Sequence, residues 1–111
     1  SETGETPSAQ VTLSIDGEER PGKAQGDGAV DAVFRAIEDV VGSGCQLLLY
    51  SVNNITSGTD AQGEVTVRVD RAGRVVNGRG SDTDIIAASA KAYVNAINRA
   101  MDSTERAHPQ L

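Results

Sequence analysis

The chain has 111 residues, which suits one folded domain and is too short for two independent hydrophobic cores. Aromatic residues make up only 3% of the chain, so the core must be built mainly from aliphatic residues and alanine. The 16 acidic and 10 basic residues give a net charge of -6, which together with the few aromatic side chains argues against nucleic acid as a partner.

Cysteine use and hydropathy indicate the compartment. The one cysteine, Cys45, cannot form an internal disulfide, and no apolar run is long enough to span a bilayer. We therefore expect a cytoplasmic protein without a membrane partner. Residues 1–9 are interpreted as a linker or an artificial addition to an excised fragment, residues 10–103 as the domain and residues 104–111 as a flexible tail.

The first expected element is a β-hairpin. From residue 10 onward apolar and polar residues alternate, which is the period of a half-buried strand. Asp16 and Gly17 predict a tight turn, and residues 18–24 predict the returning strand. Because Pro21 cannot donate a ladder hydrogen bond, this second strand is expected at a sheet edge or a bulge.

A helix is expected after the glycine-rich corner at residues 26–28. Between Val30 and Val41 apolar residues recur at helical spacing, with charged residues on the opposite face. Gly42 and Gly44 predict the end of this helix, because glycine readily adopts the left-handed conformation found there.

The segment 45–56 is predicted to be a strand that is covered on two sides. Its run from Leu47 to Tyr50 is followed by further apolar residues, so both faces are apolar. A strand of this kind is expected to be central in a sheet or to lie at an interface.

A second hairpin and a second helix follow. Alternating residues from Val65 predict one strand, and residues 74–78 its return. A second glycine-rich corner is expected at residues 78–81, before a helix whose apolar stripe runs from Ile86 to Met101.

The two halves of the sequence look like a repeat. An offset of 54 residues superposes Val11 on Val65, whereas in the helices an offset of 56 superposes Val30 on Ile86. The fold class expected from this order is α+β, with duplicated strand-strand-helix units, an additional central strand and a pseudo-two-fold relationship.

Nothing in the sequence predicts catalysis. It contains no Cys-x-x-Cys, no His-x-x-x-His and no nucleophile elbow, and its one histidine, His108, lies in the expected tail. Cys45 has no folded histidine to activate it and is interpreted as a small core residue. Neither a catalytic residue nor a metal ligand is assigned.

The two corners allow a binding interpretation. Each brings glycine-rich backbone to the start of a helix, where free N–H groups and the helix dipole favour an anion such as a carboxylate. The aspartates at the same corners could hold an ammonium, so a free amino acid suits them better than a phosphate. The alternative is that the glycines permit a tight turn and the aspartates cap the helices.

Three ordered blocks resemble one protein family. Residues 54–65 (NITSGTDAQGEV) and 82–93 (DTDIIAASAKAY) strongly resemble the regulatory domain of 2-isopropylmalate synthases. Residues 26–32 (GDGAVDA) are similar to that family's glycine corner and first helix, although Asp27 and Ala29 stand where asparagine and proline are common. The resemblance extends from about Gln10 to Met101.

The resemblance implies a homodimeric domain that binds L-leucine and inhibits a catalytic domain elsewhere in the parent chain. That parent would condense acetyl-CoA with 2-oxoisovalerate in a metal-dependent barrel, so this chain itself would need no cofactor. It implies effector-binding positions at the two corners and on the apolar strand, namely Gly26, Asp27, Gly28, Val30, Asp31, Leu47, Tyr50, Asn54, Asp82, Thr83, Asp84 and Ile85. Two alternatives stay open: an isoleucine-binding citramalate synthase domain, and a dimerisation module that binds no ligand.

Overall fold

A computed structural model of the chain describes residues 5–57 and 60–102. Within these residues the fold is α+β, with two helices and five antiparallel strands in two sheets, which confirms the expected class. The elements are β1 (Ser8–Ile15), β2 (Glu18–Gln25), α1 (Ala29–Val41), β3 (Gln46–Ser57), β4 (Asp60–Arg71), β5 (Arg74–Asp82) and α2 (Ile85–Met101). The expected tail, residues 104–111, lies outside the described part of the chain.

The first hairpin forms as its sequence predicts. Asp16 and Gly17 have φ of 52° and 81°, the left-handed values that a two-residue hairpin turn requires. Strand β2 pairs only with β1 among the described residues, so Pro21 does lie in an edge strand. Strand β1 begins at Ser8, which places two residues of the expected linker inside the sheet.

The second glycine-rich segment is part of a strand, so its prediction as a corner was wrong. Residues 78–81 belong to β5, and only Thr83 and Asp84 separate this strand from α2. Gly78 and Gly80 lie directly beneath α2, where an added Cβ would overlap the helix backbone. These glycines therefore allow the helix and the sheet to approach closely.

Alanines rather than large residues form most of the buried face of α2. The buried residues of this helix are Ala88, Ser89, Ala92, Tyr93, Ala96, Ile97 and Ala100. They pack against Val65, Val67 and Val69 of β4, whose side chains are fully buried. Met101, expected on the apolar stripe, is instead 44% exposed.

The apolar strand β3 lies at the edge of its sheet, so the prediction of a central position was wrong. The strand order is β3-β4-β5, which makes β4 the central strand. Four of the large apolar side chains of β3 are exposed: Leu47, Leu48, Leu49 and Val52. Apolar residues on both faces predicted that the strand is covered, but among the residues that the structure describes its outer edge has no neighbour.

The pairing in the two hairpins corresponds under a constant offset of 56 residues. The pair Val11 and Gly22 in the first hairpin matches the pair Val67 and Gly78 in the second, and the other seven pairs of the first hairpin follow the same rule. The helix starts at Ala29 and Ile85 differ by the same number. The offset of 54 suggested by sequence identities does not describe this pairing.

Candidate functional site

The first corner is held together by one carboxylate. Asp31 Oδ2 accepts hydrogen bonds from the Asp27 backbone N–H and from Arg35 Nε, each at 2.9 Å. Gly26 is buried against the start of α1, where an added Cβ would overlap the Asp31 carboxylate and the Ala32 backbone. Asp31 therefore orders the loop and pairs with Arg35, and only glycine fits at position 26.

The N-terminus of α1 stays open to an added group. Its N-cap is Gly28, which has no side chain to accept a hydrogen bond from the first amides of the helix. Those amides have no acceptor within the helix either. Asp27 is exposed beside them, and none of the described residues donates a hydrogen bond to its carboxylate. Amide donors thus stand beside a free carboxylate, an arrangement that suits a zwitterion.

The turn between β5 and α2, residues 82–84, takes the place of the expected second corner and keeps that name below; its own side chains close it. Asp84 is the N-cap of α2 and accepts a hydrogen bond from the Ile86 N–H at 2.8 Å. Asp82 accepts the Asp84 N–H at 2.9 Å and pairs with Lys91 Nζ at 2.8 Å. The Lys91 hydrogen bond is the main reason that the pKa of Asp82 lies below 3.8. The Thr83 hydroxyl also points to Asp82, at 3.4 Å.

The three candidate residues of β3 share one face of the strand. Leu47, Tyr50 and Asn54 lie opposite residues 69, 67 and 63 of β4, and the valines at positions 67 and 69 point into the core. Leu47 and Asn54 are nevertheless about 23 Å apart along the strand, at roughly 3.3 Å per residue. The structure therefore does not bring both of them to one small-molecule pocket within a single chain.

Asn54 lies near the second corner. It is opposite Gly63 on β4, and Gly63 is opposite Asp82 on β5, so the three residues form a row across the sheet. Ile85 packs over Gly63, where it would collide with any added Cβ. Asn54, Asp82 and Ile85 are thus grouped at one end of the sheet, whereas Leu47 lies at the other end.

Tyr50 connects the two corners. Its ring contacts Phe34 of α1 edge-on, with ring centroids 6.0 Å apart, and Val30 lies one helical turn before Phe34. Its hydroxyl lies 2.7 Å from Ser89 Oγ, and the Ser89 hydroxyl also lies 2.7 Å from the Ile85 carbonyl oxygen. The Tyr50 hydroxyl thus has the polar partner that a half-buried tyrosine hydroxyl usually finds.

Sequence reasoning missed a polar cluster beside this connection. The Glu38 carboxylate accepts hydrogen bonds from the Ser43 hydroxyl, from the Gly44 N–H at 3.4 Å and from the Tyr93 hydroxyl at 3.5 Å. Burial, followed by the nearby Glu38 charge, raises the pKa of Tyr93. Phe34 stacks on Tyr93 with ring centroids 4.3 Å apart. The sequence offered one signal for this cluster: Glu38 lies near the apolar stripe of α1, and Tyr93, with its polar hydroxyl, lies within the apolar stripe of α2.

The described residues contain neither a membrane-spanning helix nor a cluster of metal ligands. No helix among them is long and apolar enough to cross a membrane. Within the same ranges, no group of three or more histidine, cysteine or acidic side chains is placed to hold a metal ion. Cys45 is a free, half-buried thiol packed against the core, and His108 lies outside the described residues.

Comparisons with known proteins agree on one family. A family model described as the LeuA allosteric (dimerisation) domain matches residues 1–101. The 2-isopropylmalate synthases of Aromatoleum aromaticum and Methylococcus capsulatus are 65% and 62% identical over 111 residues. These alignments cover 100% of this chain and 22% of each relative, so the chain spans about a fifth of their length.

Proposed function

The chain belongs to the LeuA allosteric (dimerisation) domain family, and from that membership we propose that it binds L-leucine and thereby inhibits a 2-isopropylmalate synthase. The chain supplies the regulatory domain, and the catalytic domain lies elsewhere in the parent protein. That domain would join acetyl-CoA to 2-oxoisovalerate with the help of a divalent metal. We place the protein in the cytoplasm, where the leucine concentration would reflect how much leucine has been synthesised.

The observation that carries the proposal is the difference between the two corners. At the second corner Asp84 already caps the helix and Lys91 already neutralises Asp82. At the first corner the helix has no side-chain cap, and Asp27 has no described donor. A free amino acid carries one carboxylate and one ammonium, which match these two features. We therefore assign leucine to the first corner, at one molecule per chain.

The binding mode follows from the positions of these groups. The leucine carboxylate accepts hydrogen bonds from the first amides of α1, and its ammonium pairs with the Asp27 carboxylate. Val30 and Tyr50 bound the aliphatic side chain, since Phe34 connects them on the inner side of α1. Asp31 acts indirectly, because its carboxylate is already engaged by the corner and by Arg35.

Tyr50 provides a route from the ligand to the rest of the domain. A ligand that displaces the ring changes its contact with Phe34 and its hydrogen bond to Ser89 together. Inhibition requires that leucine bind two arrangements of the domain with different affinity. A coupling free energy of about 1–3 kcal/mol would be typical.

The exposed apolar residues of β3 support homodimerisation. Leu48 and Leu49 are 49% and 39% exposed on an edge strand, in a chain whose other strands carry few large exposed apolar residues. Exposed apolar edge strands tend to pair with another chain. We assign this strand to the homodimer interface, where it would also cover Leu47.

Titration calorimetry with L-leucine, L-isoleucine and L-valine tests the proposed ligand, with light scattering to give the oligomeric state. Saturable binding led by leucine supports the proposal. Asp27→Asn should weaken leucine binding about 10- to 150-fold, since a charged hydrogen bond contributes about 1.5–3 kcal/mol. Asp16→Asn removes the same charge at a distant turn that tolerates asparagine, and should leave the affinity unchanged.

The same titrations separate the alternatives. A preference for isoleucine would favour a citramalate synthase domain, although packing alone distinguishes such isomers only modestly. A folded dimer that binds none of the three amino acids would favour a dimerisation module. Equal leucine affinity for Tyr50→Ala and the unsubstituted chain would show that Tyr50 does not belong to the binding site.

A further inference from the structure

Three arginines surround one cleft beside β5. The cleft has a volume of about 430 Å³ and is lined by Arg68, Arg74, Arg99 and residues 75–77 of β5. The chain has only 10 basic residues against 16 acidic ones, so three guanidinium groups around one cleft concentrate positive charge on an otherwise acidic molecule.

Asn77 positions two of these guanidinium groups. Its side-chain oxygen, Oδ1, accepts a hydrogen bond from Arg68 Nε at 2.9 Å, and its backbone carbonyl oxygen accepts one from Arg99 Nη1. Arg68 lies opposite Asn77 on β4, whereas Arg99 belongs to the last turn of α2. One residue of β5 thus brings together guanidinium groups from two different elements. Each guanidinium keeps further N–H donors that Asn77 does not use.

The charges of Arg68 and Arg99 are not neutralised by the described part of the chain. Within residues 5–57 and 60–102 neither guanidinium forms an ion pair, and the acceptor that each uses is a neutral oxygen of Asn77. Asp70 is the next acidic residue of β4 on the same face as Arg68, and its carboxylate accepts the Gly73 N–H at 2.8 Å. Two cations are therefore held at neutral acceptors, an arrangement that an added anion would stabilise.

The end of α2 explains only part of this arrangement. A helix C-terminus favours nearby cations, and Arg74 Nη2 donates to the Arg99 carbonyl oxygen there at 3.3 Å. Arg68 lies on the other side of the sheet. Its neighbours Val67 and Val69 are buried in the core, so the Arg68 side chain is on the opposite, exposed face. The cleft thus combines cations from both sides of β5.

We propose that this cleft binds a small dianion, either a phosphate group or a dicarboxylate, between Arg68 and Arg99. Guanidinium groups bind both kinds of ligand through paired N–H···O hydrogen bonds, and a ligand with two negative charges would neutralise both cations. The concave shape and the volume of the cleft suit a small molecule. Arg74 supports the site indirectly, because it holds the backbone carbonyl of Arg99.

The anion site is separate from the proposed leucine corner. The cleft is lined by residues of β4, β5 and α2, and neither Asp27, Val30 nor Tyr50 is among them. Arg68→Gln should therefore leave leucine affinity unchanged, and Asp27→Asn should leave anion affinity unchanged. Loss of either activity alone identifies which of the two sites has been altered.

Titration calorimetry of the full-length protein with inorganic phosphate and with succinate tests the anion site, in a buffer that contains neither. We expect saturable binding that Arg68→Gln and Arg99→Gln each weaken about tenfold or more, since each substitution removes charged hydrogen bonds. The affinity should also fall as sodium chloride is added, because salt screens the attraction. A preference for phosphate would identify a phosphate-bearing ligand, and a preference for succinate would identify a dicarboxylate.

A matched control separates this site from the general charge of the protein. Arg20→Gln removes one exposed guanidinium from the other sheet, where Arg20 pairs with Glu18, and should leave anion binding unchanged. Arg68→Lys keeps the charge but loses the planar fork, so its affinity should be intermediate. Circular dichroism checks that each variant is folded. No saturable binding of either anion, or equal binding by Arg68→Gln, Arg20→Gln and the unsubstituted protein, would overturn the proposal.

Discussion

The hydroxyl groups of Tyr50 and Ser89 lie 2.7 Å apart, so the edge strand β3 is tied to the buried face of α2. Ser89 is fully buried and its hydroxyl also contacts the Ile85 carbonyl oxygen in the first turn of the helix. One pair of hydroxyls thus connects the proposed leucine site with the half of the domain that contains the second corner.

Removal of this contact should have a moderate effect on stability. Tyr50→Phe retains the ring beside Phe34 and loses one hydrogen bond, while Ser89 can still donate to Ile85. We expect the free energy of unfolding to fall by about 1 kcal/mol. A double-mutant cycle with Ser89→Ala, measured by chemical denaturation, should give a coupling energy of similar size. Strictly additive effects would mean that the two hydroxyls contribute independently.

Two glycines in different surroundings should respond differently to alanine. In Gly78→Ala the new Cβ would overlap the Ala92 carbonyl oxygen and the Ala96 backbone nitrogen. We expect a loss of about 1–3 kcal/mol or more, because helix and sheet must separate. In Gly28→Ala the Cβ meets nothing within 4 Å, and φ is an extended -157°.

Thermal or chemical unfolding of both variants checks this expectation. Gly28→Ala should stay within about 0.5 kcal/mol of the unsubstituted chain. Because its added methyl lies at the proposed leucine corner, it should nevertheless alter leucine affinity. Similar stability losses in the two variants would contradict the close approach of α2 to β5.

Local sequence signals were sufficient for the hairpins and helices. The Asp16 and Gly17 turn, the period-2 alternation and the Gly42 helix end are each determined by a few neighbouring residues, and each appears in the structure. The glycines of β5 were misread, because glycine permits either a turn or close packing. Only the position of α2 above Gly78 distinguishes these two uses.

Long-range relationships were harder to infer. An apolar run such as Leu47 to Leu49 predicts that both faces are covered, but it does not say whether the cover comes from the same chain. The partner of Tyr50 is 39 positions away, and a serine within an apolar stripe does not indicate which strand it will meet. The first corner followed from a local motif, whereas the strand position of residues 78–81 and the connection between the two corners required the fold.

The ion pair between Asp82 and Lys91 should make the stability of the fold depend on pH in the acidic range. Lys91 lowers the pKa of Asp82, so this carboxylate stabilises the fold above pH 3.8 and that stabilisation is lost as pH falls through the folded-state pKa. Lys91→Met should move the Asp82 pKa upward toward 3.8, although the Asp84 N–H still lowers it. Carboxyl NMR titration measures the shift, with Lys23→Met as a control. An unchanged Asp82 pKa would show that Lys91 is not the cause of its lowering.

Tyr93 should make the free energy of unfolding depend on pH in the alkaline range. Burial and the nearby Glu38 charge raise its pKa above the ordinary value of 10.0. Below pH 10 the phenol is neutral in both the folded and the unfolded chain, so it adds no pH dependence. Above pH 10 the unfolded chain releases the proton while the folded chain retains it, and the free energy of unfolding falls by up to about 1.4 kcal/mol per pH unit.

Denaturation curves between pH 8 and 11 would reveal this dependence. Tyr93→Phe keeps the stacking on Phe34 and should remove the Tyr93 contribution to the decline above pH 10, whereas Tyr50→Phe controls for the loss of a tyrosine hydroxyl. The cost of Tyr93→Phe at neutral pH should be small, because its hydroxyl is 3.5 Å from Glu38 and makes a weak hydrogen bond. An identical alkaline decline in Tyr93→Phe and the unsubstituted chain would mean that the phenol ionises without opposing the fold.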